Sequence, residues 1–280
     1  MKRQEDVGAR RQGDGPSSAE MAGVDAVGVE PEARGISSGT RLSVFARTLL
    51  VQASWNYRTM LGSGVAYALI PALRALTDDD DALDESINRH LEHFNAHPYL
   101  AGIAVGAVVR LEAEGADPTT VRKLKLALRG PLGSLGDALV WATVLPGTAM
   151  MALTAFWLGA PPLVAALLFL LAFNVVHLWL RAWGFRAGLT AGRDVGRALS
   201  KADLSGWTRR LEPVVVAVLG VLCGAVVGSD DGLFGVNPAW TVLAAGAFVV
   251  GLLGGHRTWR PAAALTVAAI GVAAIVGVAS

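Results

Sequence analysis

The sequence predicts an all-α, polytopic integral membrane protein, and three observations carry that prediction. Of 280 residues, 53% are hydrophobic and 17% charged, with a mean hydropathy of +0.47; ordinary soluble domains carry about 25% charged residues. The apolar residues lie almost wholly beyond Ser43, in runs at 132–159, 161–180, 213–229, 238–255 and 261–280. Each run is near the roughly 17 to 25 residues a spanning helix needs. The charges fall between the runs with a consistent bias. Arg181, Arg186, Arg193, Arg197, Lys201, Arg209 and Arg210 lie within 181–212, whereas 229–237 holds only Asp230 and Asp231. Basic loops stay cytoplasmic, so 181–212 and 255–260 are expected inside, and 229–237 and the C-terminal end outside. The basic stretch before Gly130 is then also inside, Gly159 to Pro162 is an outside turn, and the alternation closes.

The elements follow in order. Residues 1–40 are rich in Gly, Ser, Glu and Arg and bury too little to offset chain entropy, so they read as a disordered cytoplasmic tail. Their start lacks the apolar core of a secretory signal. Residues 43–76 read as amphipathic helix, kinked or restarted at Pro71. The Asp78–Asp81 run introduces a helix over about 82–96, because carboxylates at a helix start favour capping and the helix dipole. A calcium loop would need a Gly and a later Glu that this run lacks. The apolar segment 99–111 is too short to span upright. Gly115–Pro118 is a turn, and 121–129 a helix bearing Arg122, Lys123, Lys125 and Arg129. The domain expectation is a tail (1–40), a core with amphipathic helices, a broken segment and the first spans (41–200), and C-terminal transmembrane helices (201–280).

The stretch Gly130–Pro146, GPLGSLGDALVWATVLP, is the most unusual. It has membrane length, three glycines three residues apart and one carboxylate, Asp137. An acid at such depth persists only where it faces a protein or aqueous interior. The Gly and Pro residues suggest re-entrant backbone, tolerated only where it lines a cavity. Asp137 then either contacts a substrate or proton, or caps free N–H groups near Ala138 to Val140. No Gly-Lys-Ser/Thr follows the glycines, which excludes a phosphate loop; small residues for close helix packing explain them better.

Other candidates are weaker. Gln52, Trp55 and Asn56 place an indole beside two amides, which suits a sugar but equally an interfacial tryptophan. His90, His93 and His97 share one helix face, which makes a metal site geometrically possible, yet such a site also needs a consistent ligand set and supporting shell, so no metal or cofactor is expected. Asn174 and His177 lie inside a span, where polar groups usually bridge helices. Net charge is +1 and no basic patch interleaves with aromatics, so nucleic acid is not a partner. Cys223 is the single cysteine, which excludes a disulfide framework. No G-x-S-x-G or H-E-x-x-H appears, so no catalytic residue is assigned.

Taken together and in order, QASWNYRTM and IPALRAL (52–76), RHLEHFNAHPYLAGIAVGAVVRLE (89–112), LKLALRGPLGSLGDALVWATVLP (124–146) and the FN-containing 167–195 region resemble one family. It is the IID subunit of the mannose/fructose/sorbose family of the bacterial phosphoenolpyruvate-dependent sugar phosphotransferase system. The resemblance covers roughly residues 43–200. It implies a non-phosphorylated, non-enzymatic subunit of the bacterial inner membrane, multi-pass with a cytoplasmic N-terminus. With a IIC membrane subunit it translocates a hexose, which soluble IIA and IIB components phosphorylate; the assembly is a trimer of IIC–IID pairs. Trp55, Asn56, Asn95 and Asp137 are then the expected substrate-binding lining. The chain departs from the family at His93, where an aromatic is common, at Ala138, where Pro often follows the Gly-Asp, and at Leu145, where Arg often stands. The loss of that cation motivates the alternative of a regulatory or scaffolding derivative that no longer transports.

Overall fold

The structure, a computed structural model, describes residues 35–228. The predicted spans at 238–255 and 261–280 and nearly all of the 1–40 tail lie outside the described residues. Within them the fold is helical throughout, with two isolated bridges and no strand.

The helix starts follow from capping side chains. Ser37 Oγ accepts from Thr40 N at 3.1 Å to open α1 (Ser38–Thr48). A loop leads to α2 (Gly62–Leu76), which runs on through Pro71. Asp79 accepts from Asp81 N and Ala82 N to open α3 (Asp80–His90), so the Asp78–Asp81 run works as a cap. Asp117 accepts from Thr119 N and Thr120 N, and Pro118 presets the first turn of α5 (Pro118–Gly136).

α4 (Ala101–Ala113) is the core, buried at every position from Ala101 to Val109. It lies along the second half of α7 (Pro162–Ala191), where Gly102 and Gly106 face Gly184 and Gly188. The approach is backbone to backbone. A Cβ on Gly106 would stand 2.2 Å from Phe185 O, and one on Gly188 2.0 Å from Ile103 O. This is the small-residue packing that membrane helices use when lipid offers no hydrophobic drive for association. The segment 99–111, too short to span, is thus largely a buried helix packed inside the protein.

The expected re-entrant break is not there. α5 passes without interruption into a π-helical segment, Asp137–Val144, and then α6 (Leu145–Trp157). The wider register is visible where Leu145 N donates to Val140 O, five residues back, and Thr143 Oγ1 donates to Ala138 O at 2.8 Å. It ends just before Pro146, whose ring in an ordinary α-helix would crowd the carbonyl four residues earlier. Asp137 is therefore mid-helix, at φ −61° and ψ −45°, and caps nothing. Of the three glycines only Gly136 makes a close contact; Gly130 and Gly133 would accept a Cβ into open space.

Other boundaries move as well. Residues 43–76 form two helices with a turn-rich loop at 49–61, because Ser54, Asn56 and Ser63 draw backbone bonds away from helix. α3 stops at His90, so His90, His93 and His97 do not share a helix face, and no metal-like cluster occurs among the described residues. α1 starts before the expected 41 boundary. The supposed 181–212 loop is mostly helix. α7 extends to Ala191, a 3₁₀ turn spans Gly192–Asp194, and α8 (Val195–Ala202) leads to α9 (Leu204–Gly228).

Two helical stretches, Pro118–Trp157 and Pro162–Cys223, are long and apolar enough to cross a membrane. They are joined by a tight turn with Gly159 at φ +97°. The outer face of α7 leaves Leu163, Leu167, Leu171, Val175 and Leu178 exposed, a surface that suits lipid or an apolar partner rather than water.

Candidate functional site: three segments meeting at the start of the π-helix

The 49–61 loop, the 91–98 segment and the α5–π junction come together. Thr59 O accepts from Phe94 N at 3.1 Å, and Leu61 N donates to Phe94 O at 2.9 Å. Between them Met60 is held at φ +53°, with its N donating to Asn56 O at 2.8 Å. A left-handed methionine costs about 1 kcal/mol, a strain this double tie maintains.

Asn56 is the hub of the loop. Its Oδ1 accepts from Arg58 N (3.1 Å) and Thr59 N (2.9 Å), and its Nδ2 donates to Ser54 O (3.1 Å) and Thr59 Oγ1 (2.7 Å). That uses the full capacity of an amide. The turn it shapes presents Trp55, half-exposed and edge-on to Tyr57 at 4.8 Å. Gln52 and Asn95 are exposed, Asn95 immediately after the paired Phe94.

His97 links this region to the π-helix. Its ring packs on Gly136, where a Cβ would stand 2.2 Å from His97 Cβ, so only glycine fits. Asp137 follows, exposed, and its carboxylate bonds to none of the described residues. Beyond it Trp141 lies 4.9 Å from His97 and 5.5 Å from Tyr99. The structure thus places Trp55, Asn56, Asn95 and Asp137 on three adjoining segments, with no direct bond between any two of them.

Behind the site is a buried polar cluster that the sequence did not reveal. Arg181, which reads as a loop cation, is 4% exposed inside α7. Its Nη1 donates to Thr48 O at 2.6 Å and its Nε to His177 Nε2 at 2.7 Å. Its guanidinium sits over the Tyr99 ring at 4.9 Å, and Tyr99 stacks on His177 at 4.0 Å. Among the described residues no carboxylate pairs with this cation. The C-terminal carbonyl end of α1 and an aromatic face do so instead. His177 accepts at Nε2, so its Nδ1–H points to Asn174 Oδ1 at 3.4 Å. The available signal was the spacing of Asn174, His177 and Arg181, which puts all three on one helix face.

His97 Nδ1 accepts from Tyr99 N at 3.2 Å, and its Nε2 is buried with no partner among the described residues. Burial, with the nearby Arg181 charge and His177 adding to it, lowers its pKa to about 4. The unfolded imidazole takes its proton near 6.5 and the folded one near 4, so stability is full above 6.5 and is lost as pH falls towards 4. The span is worth about 3 kcal/mol. The thermal midpoint, followed by tryptophan fluorescence in detergent, should therefore fall between pH 6.5 and 4, and His97→Gln should flatten that slope. An unchanged slope in the variant would show that His97 does not carry the acid sensitivity.

A separate apolar cavity of about 610 Å³ lies between the π-helix, α6, α7 and α9. Its only side-chain hydroxyls, Thr143 and Thr148, both donate to backbone carbonyls. Apart from these and the indole N–H groups of Trp179, Trp183 and Trp207, its side chains are apolar, which suits hydrocarbon better than a polyhydroxyl ligand.

Residues 35–231 match the family model described as PTS system mannose/fructose/sorbose family IID component. The chain is 34% identical over 185 residues to the mannose-specific EIID component of Escherichia coli K12, covering 64% of this chain and 65% of that relative. It is 31% identical over 196 residues to the sorbose-specific EIID component of Klebsiella pneumoniae, covering 68% and 71%. Among solved structures it is similar to a chain of the mannose transporter ManYZ in complex with microcin E492, with TM-score 0.54, 31% identity and coverage of 68% and 71%. A second structure, described as a membrane protein, gives 0.60, 33%, 67% and 70%. The matched region holds the SWN loop, the RHLE-x-FN segment, the Gly-Asp of the π-helix and the long apolar α7 together in one all-α membrane fold, and on that agreement the chain belongs to the IID components of the mannose/fructose/sorbose phosphotransferase family.

Proposed function

We propose that this protein is the IID membrane subunit through which, with a IIC partner, a hexose of the mannose/fructose/sorbose type crosses the inner membrane to be phosphorylated by IIB, itself charged by IIA. The support is the family match over 35–231 and the similarity to mannose, sorbose and fructose IID relatives, the latter a fructose permease component of Bacillus subtilis. IID contributes no phosphoryl-transfer residue in this reading, and the complex is a trimer of IIC–IID pairs.

The orientation follows from charge. The basic start of α5 and the basic end of α7 share one side because the 158–161 turn reverses the chain, and positive ends stay cytoplasmic. The described residues then cross more than once, with the N-terminus inside.

Asp137 is the central substrate residue, since an exposed carboxylate at the start of a π-helix, flanked by Trp141, has both a free acceptor and an aromatic wall. Trp55 and Asn95 complete the lining. Asn56, with its amide saturated, serves by holding the turn that presents Trp55.

The test is sugar uptake in cells lacking their own mannose-type system, with cognate IIC and soluble components co-expressed. Asp137→Asn should cut sugar-phosphate accumulation about tenfold or more at normal membrane levels, the scale of a lost charged hydrogen bond. Undiminished accumulation would remove Asp137 from the path. An assembled wild-type complex that moves no hexose would favour the regulatory derivative.

A further inference from the structure

The apolar cavity beneath α8 and α9 has basic residues at its rim, and none of Trp55, Asn56, Asn95 and Asp137 lines it. Its lining begins at the α8–α9 corner with Ala202, Leu204 and Trp207 and ends with Met151 and Val218. Leu204 to Val218 is fifteen residues of helix, about 21 Å over its fourteen rises of roughly 1.5 Å, somewhat more than one leaflet of a hydrocarbon core about 30 Å thick. A second apolar recess of about 310 Å³ shares Met151, Val214 and Val218 and continues to Val221. The two hollows lie side by side along α9.

The polar end carries Arg197, Lys201, Arg209 and Arg210 against Asp194, Asp203 and Glu212, a balance of one positive charge. α8 buries Val195 and Leu199 and exposes Arg197 and Lys201. Arg209 is loosely paired with Asp203 at 3.8 Å, and Arg197 with Asp194 at 3.1 Å. Lys201 has no ion pair among the described residues. Arg210 lies over the Trp207 ring at 5.6 Å, on the same residue whose indole lines the cavity. Trp183, stacked on Trp179 at 6.1 Å, also lines it. Tryptophan beside basic residues at the mouth of an apolar groove matches the interface of a bilayer, where the ring sits at headgroup depth and Lys or Arg meets phosphate.

We propose that this site binds an anionic phospholipid, its phosphate at Lys201 and Arg210 over Trp207 and its acyl chains in the two hollows along α9. Charge complementarity selects an acidic lipid over a zwitterionic one. The length and dryness of the groove select acyl chains over a sugar or a polar peptide. Assignment to the cytoplasmic leaflet rests on the orientation proposed above, but the binding does not.

The full-length protein, with any subunit that co-purifies, would be exchanged into vesicles of equimolar phosphatidylglycerol and phosphatidylcholine with matched chains. After re-extraction, retained lipid would be counted by native mass spectrometry. Wild type should keep phosphatidylglycerol over phosphatidylcholine by about tenfold or more, as two basic side chains at roughly 1 kcal/mol each imply. The Lys201→Gln/Arg210→Gln double variant should still retain lipid but lose the preference. Ala202→Phe, which narrows the groove, should lower retention of both lipids. Equal retention of the two lipids by wild type, or a preference unchanged in the double variant, would overturn the proposal. So would Trp207→Cys crosslinking through the groove to a protein segment, whether of a partner or of residues 238–280. Because the readout is bound lipid, failure here is distinct from failure of sugar uptake.

Discussion

Gly188→Val should abolish stable accumulation of the protein. A Cβ at position 188 stands 2.0 Å from Ile103 O, 2.8 Å from Ala107 N and 2.9 Å from Ile103 C, all backbone atoms of α4. No rotamer change relieves contact with backbone, so α4 and α7 must separate along their whole interface. The same interface places Phe185 against Phe45 of α1, 5.9 Å between rings, and Arg181 against Thr48 O. Overpacking of an ordinary core costs about 1–3 kcal/mol; here the clash is with main chain at a central interface, and a loss of about 3 kcal/mol or more is expected. The measurement is membrane-fraction abundance and the thermal midpoint in detergent, with Gly133→Val as the control because nothing lies within 4 Å of its Cβ position. Wild-type abundance of the Gly188 variant would show that the helices are not in backbone contact.

That interface also shows where sequence reading succeeds and where it stops. Membrane-length apolar runs, the basic stretches flanking them and the capping acids of the Asp78–Asp81 run are local quantities, and Asp79 caps α3 as local rules predict. The family motifs lie on three segments that the fold brings together, around Asn56, Phe94 and Gly136. The π-helix was not legible, because Gly130, Gly133, Gly136 and Pro146 carry the same signal for broken backbone and for a continuous helix with one widened stretch. His97 and Arg181 were misplaced for a related reason. In sequence His97 reads with His90 and His93, and Arg181 with the basic 181–212 stretch; only the tertiary fold supplies Gly136 for the one and Thr48 and Tyr99 for the other. The Gly102/Gly106 and Gly184/Gly188 pairs were present as a four-residue spacing on two helices. Knowing that they face each other requires the pairing of α4 with α7.

Glu112→Ala should cost nearly as much as the glycine substitution, and by a different route. The Glu112 carboxylate, 9% exposed, receives Arg89 Nη2 at 2.5 Å and His90 Nε2 at 3.1 Å. Lys125 Nζ adds a bond to Arg89 O at 3.4 Å. Arg89 Nε and His90 Nδ1 are already buried with no partner among the described residues, so the network has no spare acceptor there. Burial, opposed by the Glu112 bond, lowers the His90 pKa, which leaves the ring neutral. Burial pushes the Glu112 carboxyl up, but its bonds from His90 and Arg89, with the Arg89 charge, hold it below the usual range. Its stabilisation is therefore present above the unfolded carboxylate value and lost as pH falls through the folded one. Removing the carboxylate strands Arg89, 30% exposed at its side chain, and leaves His90 with neither nitrogen bonded. Breaking a buried pair from one side costs about 3–5 kcal/mol, and partial exposure of Arg89 brings the expectation to about 3 kcal/mol. Glu112→Gln keeps the acceptor oxygen but not the charge and should cost about 1–2 kcal/mol. Thermal midpoints at pH 7.5 should fall in the order wild type, Gln, Ala. If Ala matched wild type, the RHLE segment would be held by α3 packing alone and the Arg89–Glu112–His90 network would have no structural role.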